Sequence, residues 1–253
     1  EEYLKSKEQH NNILFELSSK IVKEANDSGR LELSLEYLKK SLLYAENQKL
    51  STVYANMGVV YSSMGEYQES IKYQRKALKI REKFKNNESI AESLENLAKA
   101  YFSLSSYKVS LNYLNDALKI QKQFNNKADI ADIFQTFGSI YTALGDYQKS
   151  LTYYRDSLKI YIELGDKLGE AISLGNIGVV YDYLSEIDKA LEYYQKSLLI
   201  KKQINDKNGA ATTLGNIGII YQKLGKFETA LEYQLESLDI HKEVGNKNYI
   251  ASA

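Results

Sequence analysis

Cysteine and proline are both absent from the 253 residues, and histidine occurs only twice. Without cysteine there is no disulfide framework, thiolate zinc site or cysteine nucleophile. The compartment stays open, because reducing and oxidising surroundings both accept a cysteine-free chain. The lack of proline, with only 14 glycines, removes the two main helix breakers and favours an all-α fold. An excess of either charge is also lacking, since 33 Lys plus Arg stand against 33 Asp plus Glu. A binder of nucleic acid or of an anionic membrane surface carries a cationic surplus, so neither partner is expected. No run approaches the ~18 continuous apolar residues of a membrane-spanning helix. Even IGVVYDYL is broken at Asp182, so no membrane insertion is expected. The sequence begins at Glu1 without an initiator Met or an apolar leader and stops at Ala253 where another helix is starting, which reads as a piece of a longer protein.

What is present is a repeat with a period of 40 residues. Tyr61, Tyr101, Tyr141, Tyr181 and Tyr221 fall in step, and three residues earlier stand Gly58, Ala98, Gly138, Gly178 and Gly218. The second half of each copy agrees through Tyr73, Tyr113, Tyr153, Tyr193 and Tyr233, then Leu78, Leu118, Leu158, Leu198 and Leu238. A shorter copy precedes these, with Gly29, Leu35, Tyr37 and Leu42 matching Gly65, Ile71, Tyr73 and Leu78 at an offset of 36. The spacing of Tyr54, Met57, Gly58 and Tyr61, or of Leu174, Ile177, Gly178 and Tyr181, is i, i+3, i+4, i+7, one face of a helix. A turn follows at Gly65, Gly145 or Gly225, with Ser105 and Ser185 in its place in two copies. The next helix carries small residues at Ser70, Ser110, Ser150, Ala190 and Ala230 and again at Ala77, Ala117, Ser157, Ser197 and Ser237. Large side chains there would hold paired helices apart, so close antiparallel packing is expected. The connecting pieces KNNE, NNKA, GDKL, NDKN and GNKN supply helix stops and caps. One hairpin cannot bury both its apolar faces, so neighbours must stack.

The segment GNIGVVYDYLSEIDKALEYYQKSLLI, Gly175 to Ile200, resembles the tetratricopeptide repeat in its Leu-Gly, Tyr, Ala-x-x-x-Tyr and Ala-Leu spacings. The likeness runs from about residue 12 to 247 and departs in lacking the closing proline and in the 40-residue length, against about 34 in the common form. This longer form is similar to repeats of Pins-type adaptors, kinesin light chains and the sensory halves of bacterial histidine kinases and regulators. The resemblance implies an all-α, right-handed α-solenoid, a superhelix of stacked antiparallel helix pairs. The expected array is a single one over 1–253, with repeats at 12–50, 51–90, 91–130, 131–170, 171–210 and 211–247 and a further helix beginning at 248.

Chemistry for catalysis is not legible. Only His10 and His241 offer the usual base; they lie at opposite ends and read as solvated helix residues, with no HExxH spacing. Neither GxxxxGK[ST] nor GxGxxG occurs. Glu69, Glu192 and Glu232 recur among lysines in the manner of a salt-bridged outer surface. Most of the 22 tyrosines sit at helix-packing positions and read as core. The triplet Asn87-Glu-Ser is a sequon that an Asn-rich chain produces by chance. No catalytic residue, metal or cofactor is expected, and the chain reads as a non-enzyme.

The resemblance implies that the first helix of each repeat lines a concave groove. If Tyr54, Met57, Gly58 and Tyr61 face the partner helix, the opposite side carries Thr52, Asn56, Val59 and Ser63. Later copies give Glu92, Asn96, Lys99, Ser103; Asp132, Thr136, Ser139, Ala143; Ile172, Asn176, Val179, Tyr183; and Thr212, Asn216, Ile219, Lys223. The short copy gives Glu16, Lys20, Lys23 and Asp27. Four of these are basic and four acidic, so the cationic carboxylate clamp of chaperone adaptors is matched only in its asparagines. The candidate peptide-binding residues are therefore Asn56, Asn96, Lys99, Ile172, Asn176, Val179, Tyr183, Asn216, Ile219 and Lys223. Amides suit the backbone of an extended ligand, and the apolar members concentrate in the fourth and fifth full-length copies. The expected role is a protein- or peptide-binding scaffold in the cytoplasm. The alternative is a sensory input module for an adjoining kinase, cyclase or transcription regulator, periplasmic if it is half of a membrane kinase. Self-association through the array ends is left open.

Overall fold

The computed structural model describes residues 13, 16–17, 19–25 and 29–244. His10, Asp27 and the helix expected to begin at 248 lie outside them. Within them residues 19–25 are helical and are followed by α1 (Leu31–Ser41), α2 (Asn47–Ser63), α3 (Tyr67–Lys83), α4 (Asn87–Ser103) and α5 (Tyr107–Phe124). Then come α6 (Lys127–Ala143), α7 (Tyr147–Leu164), α8 (Lys167–Tyr183), α9 (Ile187–Gln203), α10 (Lys207–Lys223) and α11 (Phe227–Glu243). Among the described residues there is no strand. The chain forms two compact units, 1–126 and 127–253. In the first, α2 pairs with α3 and α4 with α5; in the second, α6 pairs with α7, α8 with α9 and α10 with α11.

The pairing rests on the small residues. Gly58, Gly138 and Gly178 lie where an added Cβ would come within 2.7, 2.5 and 2.8 Å of Gln74, Tyr154 and Tyr194 on the facing helix. The facing helix is equally bare: Ser110, Ser150 and Ala190 are fully buried, as are Ala77, Ala117, Ser157 and Ser197. Buried hydroxyls need partners, and here they find the opposite backbone. Ser157 Oγ donates to the Ala131 carbonyl at 2.9 Å, and Ser197 Oγ does the same to Ala171 at 2.7 Å. Beside each contact a pair of tyrosine rings stacks across the hairpin, from Tyr61–Tyr73 at 5.3 Å and Tyr101–Tyr113 at 5.6 Å to Tyr221–Tyr233 at 5.4 Å. Such pairs contribute about 0.5–1.5 kcal/mol each beyond burial.

The turn inside each hairpin is set by one backbone pattern. Glu66, Ser106, Asp146, Glu186 and Lys226 each donate their N–H to the carbonyl of the tyrosine five residues earlier, at 2.8 to 3.0 Å. The residue before each donor has positive φ, a cost-free state for Gly65, Gly145 and Gly225 but a strained one for Ser105 and Ser185 at φ 56° and 59°. Between hairpins the Asp166 and Asp206 carboxylates cap the next helix, each accepting from the N–H of Gly169 or Gly209 at 2.9 Å. Stacking within a unit then follows from apolar surface left on the second helix. Leu151 of α7 packs with Ile177, Val180 and Tyr181 of α8, and Ile71 of α3 with Leu97 and Ala100 of α4.

Two substitutions check this account by denaturant unfolding. Gly178→Leu is expected to cost about 1–3 kcal/mol through overpacking against Tyr194; unchanged stability would show that this face is not the close contact. Ser185→Gly is expected to gain about 0.5–1 kcal/mol, because relief of a left-handed serine exceeds the added freedom of the unfolded chain. A lowered unfolding midpoint would exclude the strain.

Candidate functional site

The sides of the first helices turned away from their partners form the candidate surface, described separately in each unit. In the first unit Thr52, Val59 and Ser63 of α2 are exposed and Asn56 is half-buried; on α4 Asn96 is half-buried and Lys99 exposed. Val59 and Ser63 face Asn96 and Lys99 across a cavity of about 180 Å³ whose floor includes Gln74 of α3. In the second unit Ile172, Tyr183 and Ile219 are 41%, 60% and 44% exposed, a high value for large apolar side chains. Val179, Asn176 and Asn216 are half-buried, Val179 against the core between α8 and its neighbours.

Polar ties hold consecutive first helices of the second unit side by side. Asn176 Nδ2 donates to Gln135 Oε1 at 2.8 Å, and Gln135 in turn donates to Ser173 Oγ. Lys223 Nζ reaches the Asp182 carboxylate at 2.6 Å, joining α10 to α8. The Tyr183 ring stacks on Tyr147 at 5.6 Å and 9°, so one of its faces is occupied and its direction is fixed. Of the expected ligand-holding amides, Asn176 is thus partly engaged within the protein, whereas Asn56, Asn96 and Asn216 have no side-chain partner among the described residues. Two of the acidic members are engaged too: Glu92 pairs with Arg81 at 3.1 Å and Asp132 accepts from the Tyr161 hydroxyl.

One reading of the sequence needs correction. His241 is not a solvated helix residue but is 2% exposed. It belongs to a series at the 40-residue period, Arg81, Gln121, Tyr161, Lys201 and His241, all buried and all polar. Arg81 Nη1 donates to the Ser89 carbonyl at 2.7 Å and to Ser93 Oγ at 2.8 Å, and Lys201 Nζ donates to Thr213 Oγ1 at 2.9 Å. These side chains tie one hairpin to the next. Burial lowers the pKa of Arg81, against the opposing pull of Glu92, and lowers that of Lys201. Burial and the Asp132 carboxylate raise that of Tyr161. The sequence carried the signal, since five polar residues share one register position, but without a hydrophobic pattern it did not show that the position is interior. Among the described residues no group of three His, Cys, Asp or Glu could hold a metal ion, and no helix is long and apolar enough to cross a membrane.

Family models described as tetratricopeptide repeat match residues 48–123, 129–203 and 210–244. Among solved structures, the chain is similar to NprR in complex with its cognate peptide NprX, at 21% identity and TM-score 0.75, over 93% of this chain and 68% of that one. It is similar to a Rap protein complexed with Competence and Sporulation Factor, at 15% identity and TM-score 0.74, over 92% and 76%. A STAND signal-transduction ATPase with a tetratricopeptide repeat sensor from Pyrococcus horikoshii aligns at 19% identity and TM-score 0.72, over 90% of this chain and 38% of that one. No curated protein sequence matches.

The division between engaged and unengaged amides is open to measurement. Asn176→Ala is expected to lower stability by about 0.5–1.5 kcal/mol, because it removes a half-buried hydrogen bond to Gln135. Asn216→Ala is expected to stay within about 0.5 kcal/mol of wild type. Equal losses in urea unfolding would show that Asn216 is also a structural tie.

Proposed function

Because the chain belongs to the tetratricopeptide-repeat family, we propose that it is a non-enzymatic scaffold that binds a protein or peptide segment along the first-helix face. One observation carries this reading for the second unit: Ile172, Tyr183 and Ile219 are exposed on that face beside Asn216, whose amide has no partner among the described residues. Large apolar side chains left in water beside unsatisfied amides suit an extended peptide. Such a peptide takes hydrogen bonds for its backbone and contacts for its side chains. The structures of NprR with NprX and of Rap with its factor support the reading, being proteins of the same fold seen with peptide or factor bound.

Within this surface Tyr183 is the anchor. Its ring is already ordered on Tyr147, so little rotamer freedom remains to be lost on binding. Asn216 addresses the ligand backbone with both amide groups, and Asn176 with its carbonyl, its amide N–H₂ being directed to Gln135. Lys223 is held by Asp182 and contributes orientation more than net charge. A second reading, in which occupancy of this face is the input signal of an adjoining domain, draws support from the STAND ATPase described with a tetratricopeptide repeat sensor.

The test begins with a peptide selected on the full chain from a displayed library. Its affinity is then measured for Tyr183→Ala, Asn216→Ala and the outer-face control Glu192→Ala, where Glu192 pairs with Lys196 at 2.6 Å on the same helix. Truncating the anchor is expected to cost about 2 kcal/mol or more, about thirtyfold in affinity, with the control unchanged. Equal affinities for all three variants would place the site elsewhere.

A further inference from the structure

Charge on the second unit's candidate face is largely matched within the chain. Its first helices α6, α8 and α10 carry no arginine, and each lysine on them is paired. Lys127 meets Glu163 at 3.0 Å, Lys167 meets Glu170 at 2.7 Å, Lys207 meets Glu243 at 2.5 Å and Lys223 meets Asp182 at 2.6 Å. Asp132 differs: it is exposed and paired with no cation among the described residues, its partner being the Tyr161 hydroxyl. Burial and the carboxylate itself raise the Tyr161 pKa, so the hydroxyl keeps its proton at neutral pH. The negative charge is held in place without being cancelled. Two contacts set Asp132 among the apolar residues of the face. Asn176 donates to Gln135, and Asp132 lies one turn before Gln135 as Ile172 lies one turn before Asn176, so the carboxylate and the exposed isoleucine share one edge. Further along, Lys223 meets Asp182, with Ile219 one turn before Lys223 and Tyr183 next to Asp182.

Resting on the peptide-binding reading, we propose that the second unit takes an apolar segment bearing one basic side chain, a lysine or arginine seated on Asp132, and that it rejects acidic segments. A basic side chain gains an anion that has no cation of its own. An acidic one finds every lysine of these helices already committed, and pairing with one would strip a carboxylate of the chain of its partner. Beside Asp132 it also meets a like charge. Against Ile172, Tyr183 and Ile219 a charge of either sign loses water and gains no counter-ion, which confines the basic residue to the Asp132 edge. An ion pair this open to water adds only about threefold to affinity, so the charge acts on choice of ligand more than on strength of binding.

The probe that tests this is a peptide selected on the full chain from a library of uncharged residues and weakened by Tyr183→Ala, which locates it on this face. Each of its positions is replaced in turn by Lys, Gln and Glu, and affinity is read by fluorescence anisotropy. One position is expected to favour Lys over Gln by about threefold or more and to disfavour Glu by as much. Asp132→Asn, whose amide carbonyl can still accept from Tyr161, is expected to erase that preference. Asp132→Glu, which keeps the charge, and Glu192→Ala on the outer face are expected to retain it. Salt at about 1 M, where the screening length is about 3 Å, is expected to remove it from wild type. Absence of any position that prefers Lys, or a preference that survives Asp132→Asn, would overturn the proposal. A chain that selects ligands only from a library containing Asp and Glu sinks the proposal and leaves the scaffold reading standing. A chain that selects from neither library sinks both.

Discussion

Everything in this fold depends on how closely two helices of a hairpin approach. The glycine or alanine three residues before the first-helix tyrosine lets the second helix come near enough for a buried serine hydroxyl to bond its carbonyl, as Ser110 does to Ala98 and Ser150 to Gly138. That approach aligns the two tyrosines into a stack and fixes where the turn must fall. With the hairpin closed, the apolar residues remaining on its second helix point at the next first helix, and stacking within a unit follows from their burial. Removing about 1.5–3 kcal/mol of exposure cost per large apolar side chain is what makes a neighbour necessary rather than optional.

Much of this was legible in the sequence because it concerns residues whose type repeats. The 40-residue step of tyrosine, glycine and leucine located each hairpin, and the turn residues Gly65, Ser105, Gly145, Ser185 and Gly225 located its bend. The outward face was legible in position, since it is geometrically opposite the conserved stripe within each helix, but not in state. Periodicity cannot show that Asn176 is held by Gln135 from the preceding hairpin, that Lys223 is neutralised by Asp182, or that Tyr183 is steadied by Tyr147. Those contacts join residues 36 to 41 positions apart, and in each at least one partner, Gln135, Asp182 or Tyr183, has no counterpart of its type at that register position in the other copies. The burial of His241 was missed for the same reason: its register position holds five chemically different side chains.

The two candidate surfaces differ in how they would recognise a ligand. In the second unit the face offers exposed apolar groups and an ordered ring, contacts that tolerate many sequences. In the first unit the face carries a recess beside Gly58, between Val59 and Ser63 on one side and Asn96 and Lys99 on the other, where the side-chain amide and ammonium stand beside an apolar wall.

The varied polar side chains buried at the 40-residue period bear on a hazard peculiar to arrays of near-identical hairpins, which is that a hairpin can dock on the wrong neighbour or on another molecule. Arg81 finds the Ser89 carbonyl, Ser93 and Glu92 only on α4, and Lys201 finds Thr213 only on α10. A junction of Arg81 with α6, where Ile133 stands at the register position of Ser93, would bury the charge without its hydroxyl acceptor, a penalty that apolar surfaces do not impose, whereas α8 and α10 keep a hydroxyl there in Ser173 and Thr213. The interior of this chain therefore carries a partial ordering key: its hydrophobic residues make any hairpin adhesive, and its buried polar ones penalise some of the wrong successions.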